Sequence, residues 1–582
     1  MGFIVGASLA LLGLLMAVPA VWGDFVTWQL GLFLLYGIAA QGVGLAWGRG
    51  GFLPLGNALF FGVSGYASAM ILHATDGALV PNLLAIVVCA AILAALAWGL
   101  AMLVFQGRLE SGPYFSLITL ALVLIVEQLA ETAQSLTGGF NGYSGYPSIA
   151  GLDPFGNLYY LIAGLVVVTT FCLMLLEKLP AGLVLRGLVS QEARLQTLGF
   201  ATHRVKAWVF ALSAFITALA GALFASHQGI VTPQASGFVL SSELLIWAAV
   251  GGRLHPLGSL LGAVAIGFLS AELRDTYLWW EVLIAFLFLA VVIAAPGGAI
   301  EMLSYLAQKL GWRPHELTVA PNPPPPTRPN NAAGALTLRD VHVSAGEIRI
   351  LDGLEFTCPT QGFLCVIGPN GAGKTTMLKS ITGAMKVERG EVSLGGQTVT
   401  NLPQYRALSN GIGRKMQIPT VFEDLSVREN LQLASLANRA RAIDYFRVAP
   451  LGWEIPELSR LLDQPGVPLR ELGDLNAGAL PQGHRQMLEL CLTLTPAPAI
   501  VLLDEPTAGM SPEETALMVR LIKKYQLETK AFVLVIEHDM ALVQALDARV
   551  LVLHQGRRFA EGSFGEIRSD PRVAEVYTGG NK

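Results

Sequence analysis

The chain is 582 residues long, 53% hydrophobic and only 14% charged, with a formal net charge of −4. That charge lies far below the ~25% of an ordinary soluble protein, and a mean hydropathy of +0.54 argues against a wholly soluble fold. The slightly acidic balance gives no reason to expect nucleic acid as a partner, and the length allows two or three domains.

Residues 3–22 are apolar with no Lys or Arg ahead of them. A signal peptide needs a basic start and a shorter apolar core, so this segment reads as a retained first transmembrane helix. A helix needs about 20 apolar residues to cross ~30 Å of hydrocarbon. Runs that meet or approach this lie at 3–22, 26–47, 52–73, 82–106, 113–131, 158–176, 207–228, 238–252, 256–271 and 279–297, which predicts eight to ten crossings of a lipid bilayer. Counting back from a cytoplasmic C-terminal half puts Arg49, Arg108, Arg253, Lys178, Arg186, Arg194, Arg204 and Lys206 on the cytoplasmic side. This is the positive-inside pattern. It leaves Asp24, Asp76 and Asp153 outside and the N-terminus cytoplasmic, with Arg274 the exception.

Glu127, inside the 113–131 span, faces a polar solute path or bonds another helix, because a charge in lipid needs a reason. His73, His227, Glu243 and Glu281 sit nearer span ends. The Gly-rich run 55–65 predicts close helix packing, and Gly138–Gly142 predicts tight turns. Leu188, Glu192 and Leu195 recur at helical spacing in the polar stretch 177–206, which reads as a short amphipathic helix or a solvated connector. The five cysteines form no C-x-x-C pair and read as buried, reduced thiols.

Residues 1–305 thus form a membrane domain, and 306–335, holding Pro314, Pro321, Pro323–Pro326 and Pro329, a semi-rigid tether. Residues 336–582 carry a different chemistry. Phe363–Ile367 is a short apolar run, hence a buried strand. It is followed by Gly368, Pro369, Asn370, Gly371, Ala372, Gly373, Lys374 and Thr375, with helix from Thr376. Strand, glycine loop and helix in that order make a phosphate-binding loop, in which backbone N–H groups and a helix N-terminus cradle phosphates. Lys374 neutralises phosphate charge and the Thr375 hydroxyl ligates Mg2+. A second apolar run, 499–503, ends at Asp504, placed to hold Mg2+, and Glu505, placed to polarise the attacking water. A third, 531–536, ends at Glu537-His538, where His538 senses the terminal phosphate. Three such strands ending in polar groups define the ligand edge of a parallel sheet.

On these residues the C-terminal half resembles the ATPase of ATP-binding-cassette transporters. The resemblance implies that Gln417 is the Q-loop residue that couples ATP to the membrane domain and contacts Mg2+ beside Thr375 and Asp504. It makes Leu480, Pro481, Gln482, Gly483 and His484 the signature, just before a helix at 485–494, with His484 replacing the usual glutamine. Glu505, His538 and Gln417 become the catalytic set and Ala508–Ser511 the D-loop. The aromatic that stacks on adenine is missing from Val343–Gly346, which leaves Ile348 as a substitute.

The membrane half is similar to permeases of branched-chain amino acid and urea importers at 53–70, 137–142, 186–199 and 250–263. Arg186, Glu192, Ala193 and Gly199 then belong to the cytoplasmic loop by which such permeases grip their ATPase. The stretches 411–423, 535–540 and 570–577 look more like the urea-type ATPase, so the expected solute is urea or a short-chain amide, with a branched-chain amino acid as the alternative. An exporter or a membrane-anchored regulatory ATPase is less in keeping with the many spans and the gripping loop. The resemblance implies a plasma (inner) membrane complex with a second permease, a second ATP-binding subunit and an extracytoplasmic solute-binding protein. The expected fold is therefore a polytopic α-helical membrane domain of 8–10 helices followed by an α/β P-loop ATPase domain.

Overall fold

The computed structural model describes residues 2–106, 112–295, 297–309, 334–437, 439–446 and 455–578. Arg108 and the proline run from Pro314 to Pro329 lie outside the described residues. The chain divides into two compact units: Met1–Val189 with His203–Leu317, and Ser190–Thr202 with Thr318–Lys582.

Among the described residues the first unit has seven helices long and apolar enough to cross a membrane: Ile4–Val21, Asp24–Arg49, Leu79–Phe105, Gly112–Thr132, Asn157–Lys178, Thr202–Gln228 and Pro256–Thr276. The other three expected runs, 52–73, 238–252 and 279–297, hold the shorter apolar helices Ala58–Ala74, Phe238–Gly251 and Trp280–Ala294, which fall below that length. The 52–73 span is shorter than the apolar run suggests. Residues 52–57 are not helical, because Pro54 offers no N–H and biases Leu53 away from helical backbone. The helix Asp24–Gly44 is the centre of the unit, with Leu35, Ile38, Ala39, Ala40 and Val43 fully buried. It ends in a five-residue π-helical turn, Leu45–Arg49.

Glycines allow the close approaches expected of the 55–65 run. A Cβ on Gly56 would stand 2.3 Å from the Thr119 carbonyl oxygen, and one on Gly62 2.3 Å from Ser236 Cβ. Polar groups in this unit are tied between helices. The Gln41 amide donates to Thr170 Oγ1 at 2.7 Å and to the Pro256 carbonyl at 3.2 Å. His227 stacks on Trp28 with ring centroids 5.2 Å apart. Arg49 pairs with Glu177 at 2.8 Å. Of the five cysteines, Cys358, Cys365 and Cys491 are buried, but Cys89 is half-buried and Cys172 exposed, so the expectation of buried thiols fails at the two in apolar helices.

Of the two readings of Glu127, the structure provides the helix contact: its Oε2 accepts from the Phe238 N–H at 3.2 Å, at the N-terminus of Phe238–Gly251. Helix N-termini leave N–H groups without intrahelical partners, and a side-chain acceptor there contributes about 1 kcal/mol. Glu127→Ala is therefore expected to lower the melting temperature of the chain in detergent, and Glu127→Gln, which keeps an acceptor, to leave it near wild type.

In the second unit the strands are β1 (Leu336–Ala345), β2 (Ile348–Thr357), β3 (Gly362–Ile367), β4 (Arg389–Leu394), β5 (Gln397–Thr398), β6 (Ile412–Lys415), β7 (Ile500–Asp504), β8 (Phe532–Ile536), β9 (Arg549–His554) and β10 (Arg557–Gly562). They form a six-stranded sheet in the order β10-β9-β3-β8-β7-β6 and a four-stranded sheet in the order β2-β1-β4-β5. The pairs β8–β3, β8–β7, β9–β3 and β6–β7 are parallel. β7 and β8 are buried at every position, which is why they read as continuous apolar runs rather than alternating ones, and β6 is buried throughout as well although it carries Arg414 and Lys415. The four-stranded sheet is antiparallel throughout.

Candidate active site

The phosphate loop follows the buried end of β3, and the helix Lys374–Ile381 starts immediately after it. Gly373 caps that helix at φ +96°, and a Cβ there would stand 2.8 Å from Leu351 Cδ2, so the turn requires glycine on both counts. Gly368, Ala372 and Gly373 are buried, while Asn370 and Gly371 are exposed. The Lys374 ammonium donates to the carbonyls of Gly368 at 2.7 Å and Pro369 at 3.0 Å, closing the loop into a ring. Burial pushes the Lys374 amine below the usual lysine range, opposed by the nearby Glu505 and Asp504 carboxylates. Thr375 and Thr376 are half-buried behind it.

β7 and β8 end side by side next to this loop. Asp504 is 1% exposed. Its Oδ1 accepts from the Thr375 hydroxyl at 3.5 Å, and its Oδ2 is buried with no hydrogen-bond partner. Burial raises the Asp504 carboxyl above the ordinary carboxylate range, with the Arg414 guanidinium opposing it. An orphaned carboxylate oxygen beside a hydroxyl is the hard oxygen donor set that Mg2+ takes, with phosphates completing its shell. Thr375 and Asp504 therefore fit the metal. The Gln417 side chain, expected beside them, is turned to Glu505: its Nε2 donates to Glu505 Oε2 at 3.1 Å.

Glu505 is held from three directions. Its N–H donates to the Ile536 carbonyl at 3.0 Å, its Oε2 takes the Gln417 amide, and its Oε1 lies 3.7 Å from His538 Nδ1. Its backbone sits at φ +46°, in the left-handed region, a conformation that costs about 1–3 kcal/mol and persists where the surroundings enforce it. The structure thus brings Gln417, Glu505 and His538 together. Glu537, which the sequence marked only as a strand end, is 3% exposed and accepts from Thr507 Oγ1 at 2.9 Å. Burial pushes its carboxyl upward as well, and it fixes the turn after Glu505 to the end of β8.

The signature region differs from the expected layout. The helix runs Gln482–Leu494 with Pro481 as its N-cap residue, so Gln482, Gly483 and His484 form its first turn rather than a loop before residue 485. Proline fits just ahead of a helix because its missing N–H would have had no partner there. Leu480 is buried, Pro481 and Gln482 are exposed, and His484 is half-buried. Gln486 donates to the Ala508 carbonyl at 3.3 Å, tying this helix to 508–511. No hydrogen bond or ion pair among the described residues joins Leu480–His484 to the phosphate loop. At the β1–β2 hairpin, Ile348 pairs with Ala345 and is 71% exposed, an apolar side chain where an aromatic was missing.

The stretch 186–199 does not form one helix. Arg186 lies on Pro180–Ser190, most of it in the first unit, whereas Glu192 and Ala193 lie on the short helix Glu192–Thr197 of the second unit. The break falls at Gln191, with φ −156° and ψ 83°. Gly199 closes the short helix at φ +87°, where a Cβ would stand 3.6 Å from Leu408. Between them, Arg194 is 1% exposed and its guanidinium donates to the carbonyls of Arg414 at 3.0 Å and Glu489 at 3.2 Å and to Thr493 Oγ1 at 3.0 Å. Burial pulls the guanidinium's affinity for its proton down, and the Glu489 carboxylate opposes this. Sequence reasoning missed Arg194 as a site residue because it counted it as one more loop cation.

Comparison with known proteins accounts for both halves. Residues 25–295 match the family model described as the branched-chain amino acid transport system / permease component, and residues 351–508 match the ABC transporter model. The high-affinity branched-chain amino acid transport ATP-binding protein BraF of Pseudomonas aeruginosa is 31% identical over 261 residues, covering 44% of this chain and 99% of that protein. The high-affinity branched-chain amino acid transport ATP-binding protein LivG of Escherichia coli is 30% identical over 249 residues, 42% of this chain and 97% of LivG. A crystal structure of a nucleotide-free ATP-binding cassette from an ABC transporter is 26% identical with a TM-score of 0.36, over 42% of this chain and 98% of that one. The chain therefore belongs to the ABC transporter family and carries, in one polypeptide, a permease region of the branched-chain amino acid type and an ATP-hydrolysing ABC domain.

Proposed function

We propose that this chain imports a branched-chain amino acid at the expense of ATP, as one fused permease–ATPase half of a larger complex. The observation that carries the reading is the pairing in one chain of the permease match over 25–295 with an ATPase whose relatives are named for branched-chain amino acid transport. Those names favour this solute over the urea or short-chain amide suggested by the 411–423, 535–540 and 570–577 stretches.

In this reading Lys374 and the N-terminus of Lys374–Ile381 bind the phosphates of ATP, and Thr375 and Asp504 hold Mg2+. The metal, when bound, neutralises charge on the phosphates. Glu505 polarises the attacking water, and Gln417 and His538 orient its carboxylate through the contacts at 3.1 and 3.7 Å. Pro481 and Gln482 are exposed, which suits a signature presented to a second ATP-binding subunit. A second permease and an extracytoplasmic solute-binding protein complete the assembly, and a heteromer is favoured over a homodimer. The chain sits in the plasma (inner) membrane. Arg49, Lys178 and Arg253 mark the cytoplasmic side, where the N-terminus and the ATPase also lie.

The test is ATP-driven uptake by the full chain, co-expressed with the proteins encoded beside it and reconstituted in proteoliposomes. Saturable uptake of radiolabelled leucine, with urea inert, is the expected result. Urea uptake with leucine inert would overturn the solute and leave the ATPase assignment standing.

A further inference from the structure

The helix Glu192–Thr197 places one guanidinium in the interior of the ATPase unit, beneath the segment that carries Gln417. Glu489 is 0% exposed and is the hub there. Its Oε1 accepts from the Met416 N–H at 3.1 Å and from Thr420 Oγ1 at 3.0 Å, so one carboxylate oxygen holds both sides of Gln417. Lys415 Nζ lies 3.3 Å from its Oε2, and Arg194 Nη1 3.8 Å from its Oε1. Arg194 also donates to the carbonyl of Arg414, on the strand that leads into Gln417. All of these residues belong to the second unit.

From this geometry we infer that Arg194 is a positioning residue for ATP hydrolysis: its guanidinium fixes the Glu489 carboxylate and the end of β6, which together set where the Gln417 amide meets Glu505. The chain of contacts is short. Arg194 touches Glu489, Glu489 holds Met416 and Thr420, and Gln417 between them donates to Glu505. Arginine suits the position because its planar fork makes three directed bonds at once, which a lysine ammonium on a flexible stem does not reproduce. Ser190–Thr202 is continuous at both ends with helices of the first unit. The inference rests on the ABC ATPase assignment and not on the identity of the solute.

The experiment measures ATP turnover without solute on the full-length chain co-purified with its partner subunits in nanodiscs, reading kcat, KM for ATP and melting temperature together. Arg194→Gln is expected to lower kcat by about 3- to 30-fold, the range of a coupling carried through contacting residues. KM for ATP should stay within about two-fold, because the phosphate loop is untouched. Arg194→Lys, which keeps a charge beside Glu489 but loses the fork, should fall between this variant and wild type. The double variant Arg194→Gln/Glu489→Gln leaves the buried Lys415 ammonium without its carboxylate and should regain neither melting temperature nor kcat. Wild-type kcat in a folded Arg194→Gln protein overturns the inference, as does recovery of both quantities in the double variant. If Arg194→Gln does not fold, the lysine variant decides: wild-type kcat there overturns the role of the fork. A solute other than leucine would leave every one of these readings unchanged.

Discussion

Glu505→Gln is expected to lower ATP turnover by about 10²–10⁴-fold, the usual worth of a positioned general base, while ATP still binds. The amide keeps the size of the carboxylate and can still meet Gln417 and His538, but it has no charge with which to polarise water. Nothing that grips phosphate is altered, since Lys374 donates to the Gly368 and Pro369 carbonyls and approaches Glu505 only through space. The variant should therefore retain labelled ATP on a filter at near wild-type affinity while phosphate release stalls, and uptake should stop with it. Turnover within about ten-fold of wild type would remove Glu505 from the role of base, and lost ATP binding would mean that its left-handed backbone at φ +46° depends on the charge.

The parts of this site legible in the sequence are those in which a short element ends in its own chemistry. β3, β7 and β8 are buried parallel strands, so each reads as an unbroken apolar run; the runs in β7 and β8 are followed at once by Asp504 and Glu537, and β3 leads into the phosphate loop. What escaped was chemistry whose partner lies far along the chain. Arg194 meets Glu489 across 295 positions and Arg414 across 220, and no local period reports a buried arginine. Glu537 meets Thr507 in the same way.

Element boundaries failed for a different reason. Leu188 and Leu195 keep helical spacing across the break at Gln191, so periodicity alone joins two helices. Within 52–57, hydropathy stays high while Pro54 and the close contact at Gly56 deny the backbone a helix. At the signature, Gly483 reads as a loop residue, yet the helix already begins at Gln482 because Pro481 serves as its entry. In the first two cases apolar character was visible and backbone geometry was not.

Asp504→Asn is expected to lower turnover steeply and yet stabilise the chain in the absence of nucleotide, two effects of opposite sign from one buried carboxyl. Asp504 is 1% exposed with Oδ2 unpartnered, and burial raises it above the ordinary carboxylate range. The folded chain therefore takes up this proton at a higher pH than the unfolded chain does. Stability then falls as pH rises from the unfolded value through the folded one, and below the unfolded value the two states are protonated alike and the penalty disappears. Asparagine removes the charge and with it this loss, so the variant should melt above wild type at neutral pH and converge on it in acid. Glu537, which burial shifts in the same direction, still contributes to the slope that the variant keeps. Function moves the other way. A metal at Thr375 and Asp504 is worth several kcal/mol of charge neutralisation on a phosphoryl group, so its loss should cost about 10³-fold in turnover. Magnesium with ATP should raise the melting temperature of wild type by preferential binding to the folded state, and should raise that of Asp504→Asn far less. An asparagine variant that melts below wild type at neutral pH would show that Arg414 and Thr375 already compensate the Asp504 charge, and that the metal is not needed to offset it.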